Sequence, residues 1–522
     1  MARTPLMQAL RQAALIAGRD AVAKRDDRLG RAPLLSERST PLDRRTVLRG
    51  AALTAAVSAI PLPARATGIS IAVVGAGLAG LTAAYELKKA GHIADVYEGN
   101  TRIGGRCWTS RGDFANGQIA EHGGELIDTD HHAIRNLAAE LGLKLDNVFA
   151  AIPPGTTSFY RFNNKPYTLA QATKDFDAIY NLLQSQSKAI GSFNFQHSTA
   201  AAKKFDAMSI SQWVAKYVPG GRASQFGQLI ENAFTEENSA DADQQSALNM
   251  IQTISEDPKK GFDLYYTDSN QHYHVRGGND QIPTLLARAL DGRVVTGMAL
   301  TAIRLRQDGR YALTFARDRG NVTRIYDRVV MAIPFSVMRV AVDFRHAGFS
   351  KLKETAIMTL PMGVAVKFQM QFNKRVWYEA GCSGEIRLKA SGFQTTWDVT
   401  RAQAGTTGIF NFWSGGTQAL IAGEIDNPTL AGLVTREAGV LLPGLGAQWN
   451  GMMIKNAWQL NPWSYGSYCV YPPGYQTTVV GVEKLPEGNC FFAGEHTALQ
   501  NGFLNAGVQT GQRAAREVIA SL

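Results

Sequence analysis

Short apolar runs and helix-like stretches alternate along the chain and predict an α/β fold class. The apolar run Ile71–Val74 leads through glycines into the amphipathic stretch Leu81–Ala90, and a second apolar run ends at Glu98. Apolar runs of about four residues bounded by turn residues are typical of buried parallel strands. The pattern therefore predicts a strand, a helix and a second parallel strand in this part of the chain.

Between residues 130 and 270 the hydrophobic pattern takes a helical period and few strand-like runs remain. Apolar positions recur three and four residues apart, as on the buried face of a helix. The segment is predicted to be a helical insertion, and its clearest helices are Ala133–Leu141, Leu169–Gly191, Ser209–Tyr217 and Arg222–Phe234.

Strand-like patterns return after residue 270, with a helix predicted from Gly277 to Leu290. The run Val364–Phe372 alternates strictly, so Lys367 and two glutamines are expected on the polar face of a half-buried strand. A final strand and helix close the chain, so the nucleotide domain is expected to be interrupted twice. The other predicted elements of this region are the strands Arg310–Ala316, Arg328–Ile333 and Cys490–Gly494 and the helix Gly502–Leu522.

The glycines between the first strand and helix form the spacing Gly75-x-Gly77-x-x-Gly80. In a dinucleotide-binding βαβ unit the first glycine permits the tight turn, the second lets the backbone approach a pyrophosphate, and the third lets helix and strand pack closely. Free N–H groups at the helix N-terminus favour the anion. Glu98, at the end of the second strand, is placed to accept hydrogen bonds from a ribose. The chain is predicted to bind a dinucleotide.

The chain has 522 residues, which allows two or three domains, and its formal net charge is +10. Most of that excess lies in residues 1–66, which hold twelve Lys and Arg against five Asp and Glu. The remainder has no basic stripe with interleaved aromatic residues, so no nucleic-acid partner is expected.

The N-terminal region resembles a twin-arginine signal, with Arg44-Arg45 before the mildly apolar run Gly50–Ile60 and an A-x-A site at Ala64–Ala66. That run is shorter than the ~20 apolar residues that span a bilayer, so no integral membrane segment is expected. The prediction is a protein exported by the twin-arginine route to the periplasm or medium. A basic leader with a chance arginine pair is the alternative.

Four motifs resemble the flavin amine oxidases, the family that contains monoamine oxidases and L-amino acid oxidases. They are Val74–Leu87, Arg102–Arg106, Phe492–Thr497 and Gly502–Gly511. The resemblance implies FAD as cofactor, bound in a Rossmann-like domain of the glutathione-reductase/monoamine-oxidase type. That domain is interrupted by a substrate domain with a mixed β-sheet. The residues that the resemblance assigns to FAD are Gly75, Gly77, Ala79, Gly80, Glu98, Gly105, Arg106, Gly123, Gly124, Glu125, Leu126, Val295, Gly494, Glu495 and Leu504.

The resemblance also assigns roles within FAD binding. Gly105 and Arg106 would flank the pyrophosphate, Val295 would back the adenine, and Gly494 and Glu495 would hold the ribityl and phosphate region. The domain organisation that follows is a signal region 1–66, FAD-binding parts 67–129, 271–335 and 457–522, a helical and substrate insertion 130–270, and a substrate-binding domain 336–456.

Lys367 matches the family lysine that holds a water against flavin N5, with a solvated surface lysine as the alternative. Tyr468 and Phe503 match the two aromatic residues that flank the substrate, with Trp463 expected to line the pocket nearby; plain core aromatics are the alternative. Where monoamine oxidases have the cysteine that bonds the flavin, this chain has Ser467, so the flavin is expected to be non-covalent. The four cysteines lack metal-ligand spacing, and no metal is expected.

The implied chemistry is transfer of a hydride from the α-carbon of a neutral amine to flavin N5, hydrolysis of the imine, and reoxidation by dioxygen to hydrogen peroxide. The turn Gly123–Ile127 looks like that of exported bacterial L-amino acid oxidases, some of which act on basic amino acids. Leu126, however, stands where many of these enzymes have an arginine for the substrate carboxylate. Arg276 is a candidate replacement, or only a surface residue.

The predicted function is therefore an L-amino acid oxidase that produces a 2-oxo acid, ammonia and hydrogen peroxide. Glu236 and Glu237 could attract a cationic side chain, although a solvated charge pair past a helix end is the expectation for them. An amine or polyamine oxidase of the same family, a flavin dehydrogenase with another acceptor, and a non-catalytic flavin scaffold remain as alternatives. A homodimer is left open.

Overall fold

The computed structural model describes residues 68–255, 270–318 and 320–522. The predicted signal region lies outside the described residues. None of the helices in the described part of the chain has the length and apolar character that crossing a membrane requires.

A parallel five-stranded sheet forms the centre of the nucleotide-binding part. Its strands run in the order Cys490–Phe492, Arg328–Met331, Ile71–Val74, Ala94–Tyr97 and Val294–Val295. All four residues of the middle strand are buried, because helices cover one face and a second sheet the other. A parallel sheet covered on both faces has the continuous apolar strands seen in the sequence. The predicted α/β fold class is confirmed.

The glycine-rich turn after the first strand has the backbone that its glycines allow. Gly75 has φ of 104°, a conformation that side-chain-bearing residues rarely adopt. A Cβ at Gly80 would lie 1.9 Å from the Gly75 carbonyl oxygen, so helix Leu78–Lys89 packs directly on the turn. The C-terminal helix Leu504–Ala520 packs on this first helix, and a Cβ at Gly511 would lie 2.3 Å from the Ala79 carbonyl oxygen. Residues near both ends of the described chain therefore lie together at the glycine-rich turn.

A mixed seven-stranded sheet lies beside the nucleotide-binding part. Its strand order is Trp449–Ala457, Ala365–Phe372, Gly408–Gly415, Thr395–Asp398, Cys382–Leu388, Thr157–Phe162 and Lys165–Tyr167. Helices Gly416–Glu424 and Asn427–Gly439 supply apolar residues that pack against it.

The strand Ala365–Phe372 is buried along its whole length, contrary to the expectation of a half-exposed strand. Its polar face is covered by the segment Ala115–Glu121, which follows the glycines Gly104 and Gly105. Gln369 donates to the Glu121 carbonyl at 3.2 Å, and Gln371 donates to the Ala115 carbonyl at 3.1 Å. The alternation was therefore correct, but both faces are buried because polar partners cover the second one.

The predicted helical insertion contains helices His132–Glu140, Leu169–Ile190, Ile210–Tyr217 and Gln225–Asn238, close to the expected positions. It also contributes two strands to the large sheet, Thr157–Phe162 and Lys165–Tyr167, which the sequence pattern did not predict. The last predicted helix extends to Asn238, beyond its expected end at Phe234. This extension places Glu236 and Glu237 in its final turn rather than past its end.

The remaining elements complete these layers. A four-stranded sheet has the order Gly320–Tyr326, Tyr311–Arg317, Ala299–Leu305 and Asp343–His346. Two short pairs join Thr109–Ser110 with Ala120–Glu121, and Leu145–Asn147 with Tyr273–Val275. The other described α-helices are Ala200–Asp206, Ala247–Ser255, Gln281–Ala289, Phe335–Ala341, Lys351–Thr359 and Val376–Glu379.

Candidate active site

The N-terminus of the first helix faces open space. Gly77, its N-cap, has an ordinary φ of −73°, and a Cβ built there would meet nothing within 4 Å. Gly105 lies opposite, with its own Cβ position 3.4 Å from the Gly77 Cα. Free backbone N–H groups at a helix N-terminus bind phosphate. The two glycines thus leave a cradle for a pyrophosphate beside the buried Ala79.

Glu98 and Val295 lie together at one end of this cradle. The Glu98 carboxylate accepts backbone hydrogen bonds from Ala76 and Asn100, each at 2.8 Å. Burial raises its pKa from the usual range. The Glu98 N–H donates to the Val295 carbonyl at 2.9 Å. Because a carboxylate has about four lone-pair sites, two backbone donors leave capacity for the hydroxyls of a ribose.

Trp463 belongs to this end of the cradle and does not line the substrate cavity, which corrects the sequence-based expectation. A Cβ at Gly99 would lie 2.4 Å from Cζ3 of its indole ring. Gly99 follows Glu98 directly, so the indole packs beside the predicted ribose position.

An ion pair connects the motif Arg102–Arg106 with the motif Phe492–Thr497. Arg106 Nη1 lies 2.8 Å from Glu495 Oε1 and donates to the Ser467 carbonyl at 2.6 Å. The other Glu495 oxygen accepts from the Gly502 N–H at 3.1 Å. Each oxygen of the Glu495 carboxylate therefore has a protein donor, and its contact with the cofactor stays a prediction.

The turn at Gly123 and Gly124 contacts both Leu504 and Lys367. A Cβ at Gly124 would lie 2.7 Å from Cδ2 of Leu504, at the start of the C-terminal helix. The Gly123 carbonyl accepts a hydrogen bond from Lys367 Nζ at 3.1 Å. The structure thus brings together predicted residues that are separated by up to 381 positions in the chain.

Lys367 is buried, with 1% of its side chain exposed, and its ammonium is paired with the Glu125 carboxylate. The second oxygen of Glu125 accepts from the Trp397 indole N–H at 3.0 Å. The alternative of a solvated surface lysine is therefore wrong. Glu125 was assigned to the cofactor by resemblance, yet its carboxylate contacts Lys367 and Trp397; Leu126 beside it is half-buried.

A cavity of about 140 Å³ lies between the helical part and the C-terminal motif. Phe503 forms part of its wall, and the Phe503 ring packs edge-on against His131 with centroids 4.9 Å apart. The cavity is lined by Asp130, His131, Ala233, Phe234, Glu236, Glu237, Asn238, Asn249, Thr253, Arg387, Leu499, Gln500, Asn501 and Phe503.

Tyr468 lies directly behind this wall. Its hydroxyl donates to the Glu237 carbonyl at 2.6 Å and accepts from the Ser239 hydroxyl at 2.8 Å. Its ring lies 3.4 Å from the Cβ position of Gly502, the residue before Phe503. Tyr468 and Phe503 thus lie beside the same backbone segment, as the predicted aromatic pair requires, and their role stays a prediction.

Glu236 and Arg387 form an ion pair at the cavity, with Arg387 Nη1 and Glu236 Oε2 2.9 Å apart. Arg387 Nε also contacts Glu385 Oε1 at 2.7 Å. Only 2% of the Arg387 side chain is exposed. The expectation of a solvated charge is therefore wrong for Glu236, which is buried in this ion pair, whereas Glu237 is half-buried in the cavity wall.

Burial raises the pKa of Glu237 to about 8, and the neighbouring Glu236 carboxylate adds to this effect. Burial and the nearby Arg135 lower the pKa of His131 to about 4, so this imidazole is neutral near pH 7.

Asp128, Asp130 and His131 hold potential metal-ligand atoms within 4.8 Å of one another. Asp128 already accepts a hydrogen bond from the Gln271 N–H at 2.9 Å.

The candidate Arg276 is not part of the site. Its side chain is 64% exposed and pairs with Asp146 at 2.6 Å, beside the antiparallel strand pair of Leu145–Asn147 and Tyr273–Val275. The surface alternative for this residue is the correct one. The four cysteines are buried free thiols.

Sequence reasoning missed Arg387, Glu385 and Trp397. Arg387 and Glu385 lie in the strand Cys382–Leu388, which no clear alternation marks, and their only signal is an acid and a base two residues apart in a strand-like run. Trp397 lies in the strand Thr395–Asp398, and its indole N–H reaches Glu125 only through the fold. Contacts of this kind carry no local sequence signal.

A dinucleotide cradle at a parallel sheet, together with a buried lysine and a cavity walled by Phe503, is typical of an enzyme that binds a nucleotide cofactor. The family model for flavin containing amine oxidoreductases matches residues 78–519. The chain belongs to this family, and its cofactor is FAD.

Three similar proteins illustrate the range of the family. An L-amino-acid oxidase of Siganus canaliculatus is 27% identical over 88% of this chain and 86% of its own length. The flavin-containing amine oxidase A of Sus scrofa is 24% identical over 87% and 85%. The structure of cyclohexylamine oxidase from Brevibacterium oxydans superposes with a TM-score of 0.75 at 21% identity, covering 87% of this chain and 99% of that one.

The residues present fit FAD. The open cradle at Gly77 and Gly105 would take the pyrophosphate, and Glu98 would take the ribose. Lys367 and the turn at Gly123, beside which the resemblance expects the flavin ring, lie in contact with each other.

Proposed function

We propose that the protein is an L-amino acid oxidase. The observation that supports this proposal is Arg387, which is the one cationic side chain among the described residues that line the cavity, since His131 is neutral. A guanidinium binds a carboxylate through paired, charge-assisted hydrogen bonds. Arg387 would replace the arginine that Leu126 does not supply.

The proposed reaction converts an L-amino acid, water and dioxygen into a 2-oxo acid, ammonia and hydrogen peroxide. Bound FAD supplies the two-electron acceptor, which dioxygen regenerates. Phe503 and Tyr468 would confine the substrate between their rings and exclude water. Lys367 would hold a water molecule in place, with its ammonium oriented by Glu125 and the Gly123 carbonyl.

The reacting amine must be neutral, because an ammonium nitrogen has no lone pair to support formation of the imine. A buried site favours the uncharged form of an amine. The backbone carbonyl of Glu237 accepts the hydrogen bond of the Tyr468 hydroxyl. The pKa of the Glu237 carboxyl group is about 8, so its ionised form can accept a proton at neutral to alkaline pH. The chain thus holds a group that suits removal of the substrate proton or binding of a cation.

An amine oxidase that needs no substrate carboxylate is the second candidate. The carboxylates at the cavity favour it, since Asp130, Glu236 and Glu237 outnumber the single guanidinium. The two candidates differ in whether the α-carboxylate of the substrate contributes to catalysis.

Matched substrates with and without the carboxylate test the proposal. L-Phenylalanine with phenethylamine and L-lysine with cadaverine form two such pairs. Peroxide and 2-oxo acid formed from the amino acids, with kcat/KM at least tenfold above the amines, is the expected result. Faster oxidation of both amines would refute the amino acid oxidase. Turnover only with an added electron acceptor would instead indicate a dehydrogenase.

We also propose that the flavin is non-covalent. The Ser467 hydroxyl donates to the Gly363 carbonyl at 3.1 Å. The nearby Cys469 is buried, and burial raises the pKa of its thiol well above the usual value, which disfavours the nucleophilic thiolate. Acid precipitation should therefore release all of the yellow colour into the supernatant. Colour retained in the pellet would show a covalent bond.

A further inference from the structure

The charges at the cavity are unbalanced. Three carboxylates, those of Asp130, Glu236 and Glu237, lie among the residues that line it, against the single guanidinium of Arg387. That guanidinium already contacts Glu236 at 2.9 Å, and on its other side it contacts Glu385 at 2.7 Å. Arg387 therefore has two acidic partners, and negative charge remains in excess.

Glu237 is the residue that carries this excess. Among the described residues none donates a hydrogen bond to its carboxylate, whereas the Glu236 carboxylate is held by Arg387. Glu237 lies in the final turn of helix Gln225–Asn238, and its side chain is part of the cavity wall. The Glu237 side chain is half-buried in this wall, so its carboxylate is free to pair with a cation that enters the cavity.

The position of Glu237 ties this carboxylate to the reacting region. Its backbone carbonyl accepts the Tyr468 hydroxyl at 2.6 Å, and Phe503 shares the same cavity wall. Asn249 and Thr253 are neutral groups of the same wall, so they leave the charge of Glu237 uncompensated. A ligand in this cavity would therefore contact both Phe503 and Glu237.

We infer that the substrate carries a second positive charge, away from the reacting amine, and that the Glu237 carboxylate binds it. Within the proposed function, on which the amino acid part of this inference rests, the substrate is a basic L-amino acid of the lysine or arginine type. The cationic end pairs with Glu237, and the α-carboxylate pairs with Arg387. A neutral side chain of equal length would leave Glu237 without a partner.

Four compounds test separately whether the enzyme prefers a substrate with a second positive charge and whether it prefers one with an α-carboxylate. L-Lysine and L-norleucine differ in the terminal ammonium, and cadaverine and pentylamine repeat that difference without the carboxylate. The holoenzyme is mixed with each compound, and peroxide formation in air and anaerobic loss of the yellow flavin colour are followed. The second charge is tested by lysine against norleucine and by cadaverine against pentylamine. The carboxylate is tested by lysine against cadaverine.

Substitution of Glu237 assigns the effect to this residue. Glu237→Gln keeps the size of the side chain and removes its charge, and Glu237→Asp keeps the charge at a shorter reach. Glu379→Gln, at an exposed position of helix Val376–Glu379, is the matched control. A charge-assisted hydrogen bond predicts a fall of about 10- to 100-fold in kcat/KM for lysine in Glu237→Gln, with norleucine changed less than threefold.

Preference for lysine over norleucine by tenfold or more, lost in Glu237→Gln and partly kept in Glu237→Asp, supports the inference. Equal or better oxidation of norleucine by the unmodified enzyme overturns it and leaves the amino acid oxidase intact. Preference for cadaverine over both pentylamine and lysine upholds the second charge but refutes the amino acid oxidase. If Glu237→Gln does not fold, the comparison of the four compounds with the unmodified enzyme decides alone.

Discussion

Lys367 and Glu125 form an ion pair in which both side chains are more than nine-tenths buried. They are 242 residues apart in the chain, and Trp397 completes the contact from the strand Thr395–Asp398. The Gly123 carbonyl takes a further hydrogen bond from the ammonium. The amine of Lys367 is therefore fixed by protein groups on two sides, which leaves its remaining direction for a water molecule.

Removal of Glu125 should destabilise the protein, because it leaves the Lys367 ammonium buried without its partner. Loss of one member of a buried ion pair costs about 3–5 kcal/mol. Glu125→Gln should therefore lower the apparent Tm in thermal unfolding followed by circular dichroism. The double variant with Lys367→Met should recover most of the loss, because no charge remains buried. An unchanged Tm in Glu125→Gln would contradict the importance of the pair.

Lys367→Met should slow turnover by about 100-fold while FAD stays bound, because a group that positions water for proton transfer contributes on that scale. Rapid mixing under anaerobic conditions and then with dioxygen measures the two halves of the reaction separately. Lys374→Met, an exposed position just after the same strand, is the control and should behave as the unmodified enzyme. Unchanged kinetics in Lys367→Met would remove this residue from the mechanism.

Gly77→Val should abolish FAD binding without disturbing the fold. The position has an ordinary backbone conformation, and nothing lies within 4 Å of its Cβ position, so the new side chain enters only the open cradle. There it would occupy the space that a pyrophosphate needs. The purified variant should be colourless, with a circular dichroism spectrum like that of the parent. Gly68→Val, also with nothing near its Cβ, should remain yellow.

The preference for a basic substrate should rise with pH. Burial and the nearby Glu236 and Asp128 raise the pKa of Glu237 to about 8, while Arg387 acts in the opposite sense. Glu237 is therefore mostly protonated at pH 6 and ionised above pH 8, whereas the lysine side chain stays charged to about pH 10. The kcat/KM ratio of lysine to norleucine should increase from pH 6 to pH 9. The ratio cancels ionisation of the α-amine, and it should be flat in Glu237→Gln.

Local sequence was sufficient for the nucleotide-binding part. The fully apolar run Ile71–Val74, the glycine spacing and the acid at Glu98 each depend on neighbours within one βαβ unit, and the structure has them as expected. The helices of the insertion were found for the same reason, because each buries one face at a regular period. The motif at Gly502–Gly511 was recognisable because close packing on the first helix requires small residues.

Local sequence did not determine the position of side chains that meet across the fold. It did not reveal that Trp463 packs against Gly99, that Arg276 pairs with Asp146 at the surface, or that Glu236 is buried in an ion pair with Arg387. The sequence by itself determined the βαβ unit that begins at Ile71, because that unit is built from consecutive residues. Only the tertiary structure decided which charges line the cavity, because Arg387, Glu237 and Lys367 obtain their burial and their partners from distant strands and helices.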